Sequence, residues 1–126
     1  MADELIIEGL RISGDGDVRV VVDVIIETNF GVPRREAAGL SITEICQEIE
    51  RLCGPESFRF LEAAAVKVVD GLLERFPRID GLDLTIRHIT PQLPGVSADS
   101  VGARRRRRRA APSHRLPRRV IKPLPQ

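Results

Sequence analysis

Flat side chains are scarce in this chain. It has four Phe and neither Tyr nor Trp, so Leu, Ile, Val and Ala must supply the buried area. A platform that stacks sugars or single-stranded bases on rings is thereby excluded. Cysteine is limited to Cys46 and Cys53. Seven residues apart on one predicted helix, they stand about 10.5 Å apart along its axis, too far for a disulfide. Both read as reduced, buried small hydrophobes of a cytosolic protein. Two His and two Cys scattered along the sequence give no zinc-ligand spacing. Asp15, Asp17 and Asp23 fall short of the oxygen set a calcium loop needs, and the first two belong to turn chemistry. No metal and no cofactor is expected. No apolar run approaches the roughly 20 residues of a membrane span, and Met1-Ala2-Asp3-Glu4 carries no leader-like segment. The expectation is a cytoplasmic protein without membrane contact.

Charge is present but unevenly placed. The net charge is +2. Ten of the 20 basic residues lie between Arg104 and Lys122, where no acidic residue occurs, which leaves residues 1–103 at a net −8. A body of one sign and an end of the other suggest two regions: a domain over 1–106 and a basic, proline-rich, disordered tail over 107–126.

Within the body the apolar pattern changes period. Residues 4–12 alternate as a strand with an interrupted pattern, Leu5 and Ile7 on one side and Ile6, Leu10 and Ile12 on the other. Ser13 to Asp17 is a concentrated turn signal. Val18 to Thr28 is the clearest strand, with Val18, Val20, Val22, Val24 and Ile26 on one face, and the pair reads as an antiparallel hairpin. Ser41 with Glu44 three residues on opens a helix as a capping box. Its stripe is Ile42, Ile45, Cys46, Ile49, Leu52 and Cys53, and Gly54 ends it. A second helix is predicted from about Ser57 to Phe76, stopped by Pro77, then a third strand around Leu82, Leu84 and Ile86. A fourth strand from Ser100 to about Arg106 is the weakest of the four. The order ββααββ implies an α+β fold: a four-stranded antiparallel sheet with two helices on one face. Val21 and Ile25 make the second face of the sheet partly apolar as well, which suggests oligomerisation.

Four strings within this frame, Ile7 to Ile12, Leu40 to Ile45, Phe60 to Ala65 and Pro91 to Gly102, resemble the dihydroneopterin aldolase family, which has the tunnelling fold. The likeness spans residues 4 to about 106. It implies retro-aldol cleavage of dihydroneopterin, or its epimerisation, in the folate pathway. It also implies a lyase with neither metal nor Schiff base, and homo-oligomeric rings (tetramer or octamer) with pterin sites between subunits. Glu62, beside Leu61, matches the glutamate that anchors the pterin, and a carboxylate suits two parallel N–H donors. The family's tyrosine falls on Ile42 and its lysine on Thr90, neither of which moves protons near neutral pH. The loop that supplies a further glutamate is deleted between the first two strands.

His88 lies two residues before Thr90 on the same side of the third strand, and is the candidate substitute acid/base. Taken alone, Glu62 reads as a solvated helix residue and His88 as a surface strand residue. The run Arg104, Arg105, Arg106, Arg107, Arg108 and Arg109 reads either as a strand end with a solvated tail or as a contact for nucleic acid or another polyanion. Two functions follow: a pterin aldolase or epimerase, or a non-catalytic oligomeric pterin- or purine-binding scaffold whose basic end touches nucleic acid.

Overall fold

The computed structural model describes residues 3–14, 17–31, 40–54, 60–89, 95 and 97–110. The elements are β1 (Asp3–Gly14), β2 (Asp17–Thr28), α1 (Ile42–Leu52), α2 (Leu61–Arg75), β3 (Gly81–Ile89) and β4 (Ser100–Arg108). The sheet order is β1-β2-β3-β4, every neighbour antiparallel, as the ββααββ pattern predicts. β1 and β2 close as a hairpin with Gly14 opposite Asp17.

The interruption in β1 has a structural cause. Register shifts between Ile7 and Leu10, so that Glu8 and Gly9 form a bulge opposite Asp23. Gly9 has φ +72°, a left-handed backbone that glycine adopts without steric cost. Its N–H donates to Asp23 Oδ1 at 2.7 Å. The extra residue resets the side-chain alternation. Leu5, Ile7, Leu10 and Ile12 consequently all face inward, opposite Ile26, Val24, Val22 and Val20. The reading that put Leu10 and Ile12 on the side away from Leu5 and Ile7 is corrected by this one residue.

The core lies between the inward sheet face and the two helices. Val20, Val22, Val24, Ile26, Leu84 and Ile86 are essentially inaccessible, and Ile45, Ile49, Val68, Val69 and Leu72 meet them from the helices. Each fully buried Leu, Ile or Val of this kind contributes about 1.5–3 kcal/mol of transfer free energy. Ser41 caps α1 by accepting from the Glu44 N–H. α2 starts later than expected: Phe60 has non-helical backbone and its carbonyl accepts from the Ala64 N–H. A helix continuous from Ser57 is thus interrupted at Phe60, while Ser57 itself lies outside the described residues.

β4 extends to Arg108, two residues past the expected domain boundary, because its arginines find partners on both faces of the sheet. Arg105 and Arg107 turn inward to Asp70 on α2. On the helix-free face Arg104 grips Asp83 with two bonds, Arg106 stands 3.5 Å from the same carboxylate, and Arg108 pairs with Glu27. The Arg104 bonds hold the Asp83 carboxyl below its ordinary range against the opposing effect of burial. Arg109 closes the strand: its Nη2 donates to the Leu73 and Phe76 carbonyls and its Nε to Ile79 O. These are carbonyls at and beyond the end of α2 that the helix itself leaves unpaired.

Candidate functional site

Two apolar stripes run out at one end of the molecule, and an ionisable residue continues each. On α2, Val69 and Leu73 are buried. Glu62 precedes them by seven and eleven residues, so at 3.6 residues per turn it points within about 20° of both. It stands in the first helical turn, beyond the packed part of the stripe, and is exposed. The helix start favours its negative charge. On β3, Leu82, Leu84 and Ile86 alternate into the core, and His88 is the next inward position. It is half-buried between Val20 of β2 and Val101 of β4.

Counted along their own elements, the two groups lie at similar distances from the turn that joins α2 to β3. α2 and β3 meet at a tight corner, where Ile79 N–H donates to Phe76 O and Asp80 N–H to Glu27 O. From that corner Glu62 is about 21 Å back along the helix and His88 about 23 Å back along the strand. Half-buried Leu61 and exposed Val101 add apolar surface at the same end. Among the described residues neither Glu62 nor His88 has a side-chain hydrogen bond or ion pair. The arrangement offers a two-oxygen acceptor for paired N–H donors and an imidazole able to take or give a proton.

Ile42 is elsewhere. Helices α1 and α2 run antiparallel: Leu52 packs against Gly71, and Glu48 bonds Arg75 at 2.7 Å. Ile42, first residue of α1 and 43% exposed, is therefore about 28 Å from Glu62 along the helical layer. Thr90 lies outside the described residues. Arg104 to Arg108 lie along β4, with carboxylate partners inside the fold, so an external polyanion competes with Asp70, Asp83 and Glu27 for them.

A cavity of about 320 Å³ occurs on the helix-free face at the other end of the sheet, lined among others by Glu4, Ile25, Glu27, Asp83, Arg106 and Arg108. Its charges largely answer one another, and it is separate from Glu62 and His88. Among the described residues no cluster of His, Cys, Asp or Glu is arranged to hold a metal ion, and no helix is long and apolar enough to cross a membrane.

Sequence reasoning missed the polar cluster of the helical layer. Glu48, its side chain only 5% exposed, accepts from Arg51 on its own helix and Arg75 on α2. The Glu48–Arg51 spacing of three was visible; the pairing with Arg75 exists only in the tertiary structure. Cys53 is buried and burial pushes its thiol up to about 11, whereas Cys46 is only half-buried.

A four-stranded antiparallel sheet in ββααββ order, with both helices on one face, defines the class: a tunnelling-fold protein. The family model for dihydroneopterin aldolase matches residues 16–105, and the chain belongs to that family. Two solved structures share its fold. A dihydroneopterin aldolase from Burkholderia thailendensis, bound to guanine, is 14% identical with a TM-score of 0.58 over 86% of this chain and 93% of that one. One from Vibrio cholerae O1 biovar El Tor, described as a putative dihydroneopterin aldolase, is 19% identical with a TM-score of 0.62 over 86% and 99%. No curated protein matches the sequence.

Proposed function

We propose that this protein binds a reduced pterin at the open end of α2 and acts on it as a dihydroneopterin aldolase or epimerase of the folate pathway. The observation that carries the reading is Glu62, a carboxylate on a buried stripe with no partner inside the described fold. An amino group and an adjacent ring N–H, as on a pterin or guanine, present two parallel donors that such a carboxylate accepts as a charge-assisted pair. The guanine bound by the Burkholderia relative carries the same donor edge.

In this reading the protein is a homo-oligomer, tetramer or octamer. If Ile42 contributes to the same site as Glu62, the span of about 28 Å along the helical layer within one chain requires that it come from another copy. A second reading, a non-catalytic pterin- or purine-binding unit, is favoured by Ile42 standing where the family carries a tyrosine. Polyanion contact, in either reading, falls chiefly to Arg115, Arg118, Arg119 and Lys122, since Arg104 to Arg108 have internal partners. Equal salt-dependent retention of nucleic acid by the full chain and by a chain ending at Ala110 would remove that role.

The direct test is titration of the purified protein with a reduced pterin. Binding by the wild type, weakened about tenfold or more by Glu62→Gln (1.4 kcal/mol per decade), supports the reading. Absence of binding by folded protein removes it.

A further inference from the structure

We infer that His88 is the proton-transfer group of the Glu62 site, taking and returning the proton that the cleavage of a dihydroneopterin side chain requires. The inference rests on the pterin reading above and adds to it the residue that does chemistry. Its basis is the inward row Ile12, Val20, His88 and Val101, the last one described across all four strands. Three of its four members are aliphatic, and Ile12 and Val20 are buried. An imidazole fits such a row poorly as packing, because its ring nitrogens need partners. Among the described residues His88 has none. The position is therefore half-buried and polar, with no side-chain partner among the described residues, and Glu62 likewise has none there.

Glu62 and Lys67 stand on α2, Asp99 just ahead of β4, and Arg87 on the same strand as His88 but on the opposite face. On β2, Val20 stands opposite His88. With Glu62 holding the ring edge of the ligand and Lys67 already engaged by a partner, His88 is the group in this row whose ring nitrogens can both accept and donate a proton.

The step balances without a co-reactant. Neutral His88 takes the proton of the hydroxyl on the second side-chain carbon of dihydroneopterin. The bond between the first and second side-chain carbons breaks, and the second becomes the carbonyl of glycolaldehyde. The bonding pair moves to the first carbon and is delocalised into the C=N bond of the dihydropterin ring. The imidazolium then returns the same proton to the first carbon, which gives hydroxymethyl-dihydropterin and restores the C=N bond. Recapture of the aldehyde through its other face gives the epimer.

The test uses the full-length protein with dihydroneopterin as probe, measuring pterin binding and single-turnover product across pH for wild type, His88→Gln, His88→Ala and Glu62→Gln. Unchanged melting temperatures show that the variants are folded. The expected result is a wild type whose rate falls on the acid limb of its pH profile. His88→Gln and His88→Ala should bind the pterin within about threefold of wild type yet lose about 100-fold or more of the rate, together with that limb of the profile. Glu62→Gln should lose binding first. Wild type that binds but gives neither product nor epimer overturns the role of His88 and leaves the binding site standing. So does a His88→Gln variant that turns over like wild type. Absence of binding overturns both readings at once.

Discussion

Two guanidiniums converge on Glu48, one from its own helix and one from the next. The carboxyl is held at about 2, against an ordinary 4.5, first by the Arg51 hydrogen bond and then by Arg75, while burial acts in the opposite direction. A carboxyl whose pKa is lower in the folded state stabilises the fold above its unfolded pKa. That stabilisation is withdrawn as pH falls through the window between the two values. The melting temperature is therefore expected to decline as pH drops from about 4.5 toward 2, and Glu48→Gln to flatten that slope. A variant as acid-sensitive as wild type in thermal melts would assign the transition to other carboxylates. Nothing in the sequence around Glu48 announces burial, because a glutamate one position before Ile49 reads as the edge of a polar face. Glu62 shows the converse: its neighbours and its stripe position were legible, and only the sheet's end shows that it overhangs the core.

At the scale of elements, β1 depends on one residue that packs nothing. The bulge at Glu8 and Gly9 brings two two-residue runs, Leu5/Ile7 and Leu10/Ile12, onto one face. Deleting Gly9 shifts the following residues by one and turns Leu10 and Ile12 to solvent, so the deletion variant is expected to be insoluble or unfolded by circular dichroism. Gly9→Ala keeps the count but forces φ +72° on a residue with a Cβ, at a cost of about 1–2 kcal/mol in chemical denaturation. An unchanged midpoint would mean that the bulge relaxes to another conformation. β4 is the element that sequence reasoning read least firmly, and its arginines explain why. Their strand propensity is unremarkable, but cross-sheet carboxylates on β2 and β3 and Asp70 on α2 meet them in alternation. Arg109 then ties β4 to the end of α2 through three carbonyls. Arg109→Ala is expected to lower stability by about 1.5–3 kcal/mol, the range for hydrogen bonds to a charged group.

For the whole molecule, the placement of Ile42 and Glu62 at opposite ends of the helical layer makes a mixing experiment decisive. Glu62→Ala and Ile42→Arg chains, each unable to bind pterin alone, are expected to recover roughly a quarter of the sites when unfolded together and reassembled, as random pairing in a closed ring requires. No recovery in the pterin titration would show that Ile42 and Glu62 do not share a site across copies. A chain cut after Arg106 loses Arg107, Arg108 and Arg109 and should melt lower than one cut after Ala110, which keeps every β4 contact described. The sequence by itself determined the ββααββ order, the hairpin and the Ser41 cap, and it named the candidate carboxylate. Those follow from periodicity, turn residues and local strings, all of which act over a few neighbours. Tertiary structure alone decided which face Leu10 and Ile12 take, that the arginines of β4 meet internal counter-charges, and that α1 runs antiparallel to α2, which carries Ile42 far from Glu62. These depend on a bulge, on charges brought together across the sheet, and on helix direction, which are set when distant segments pack and the chain closes on itself.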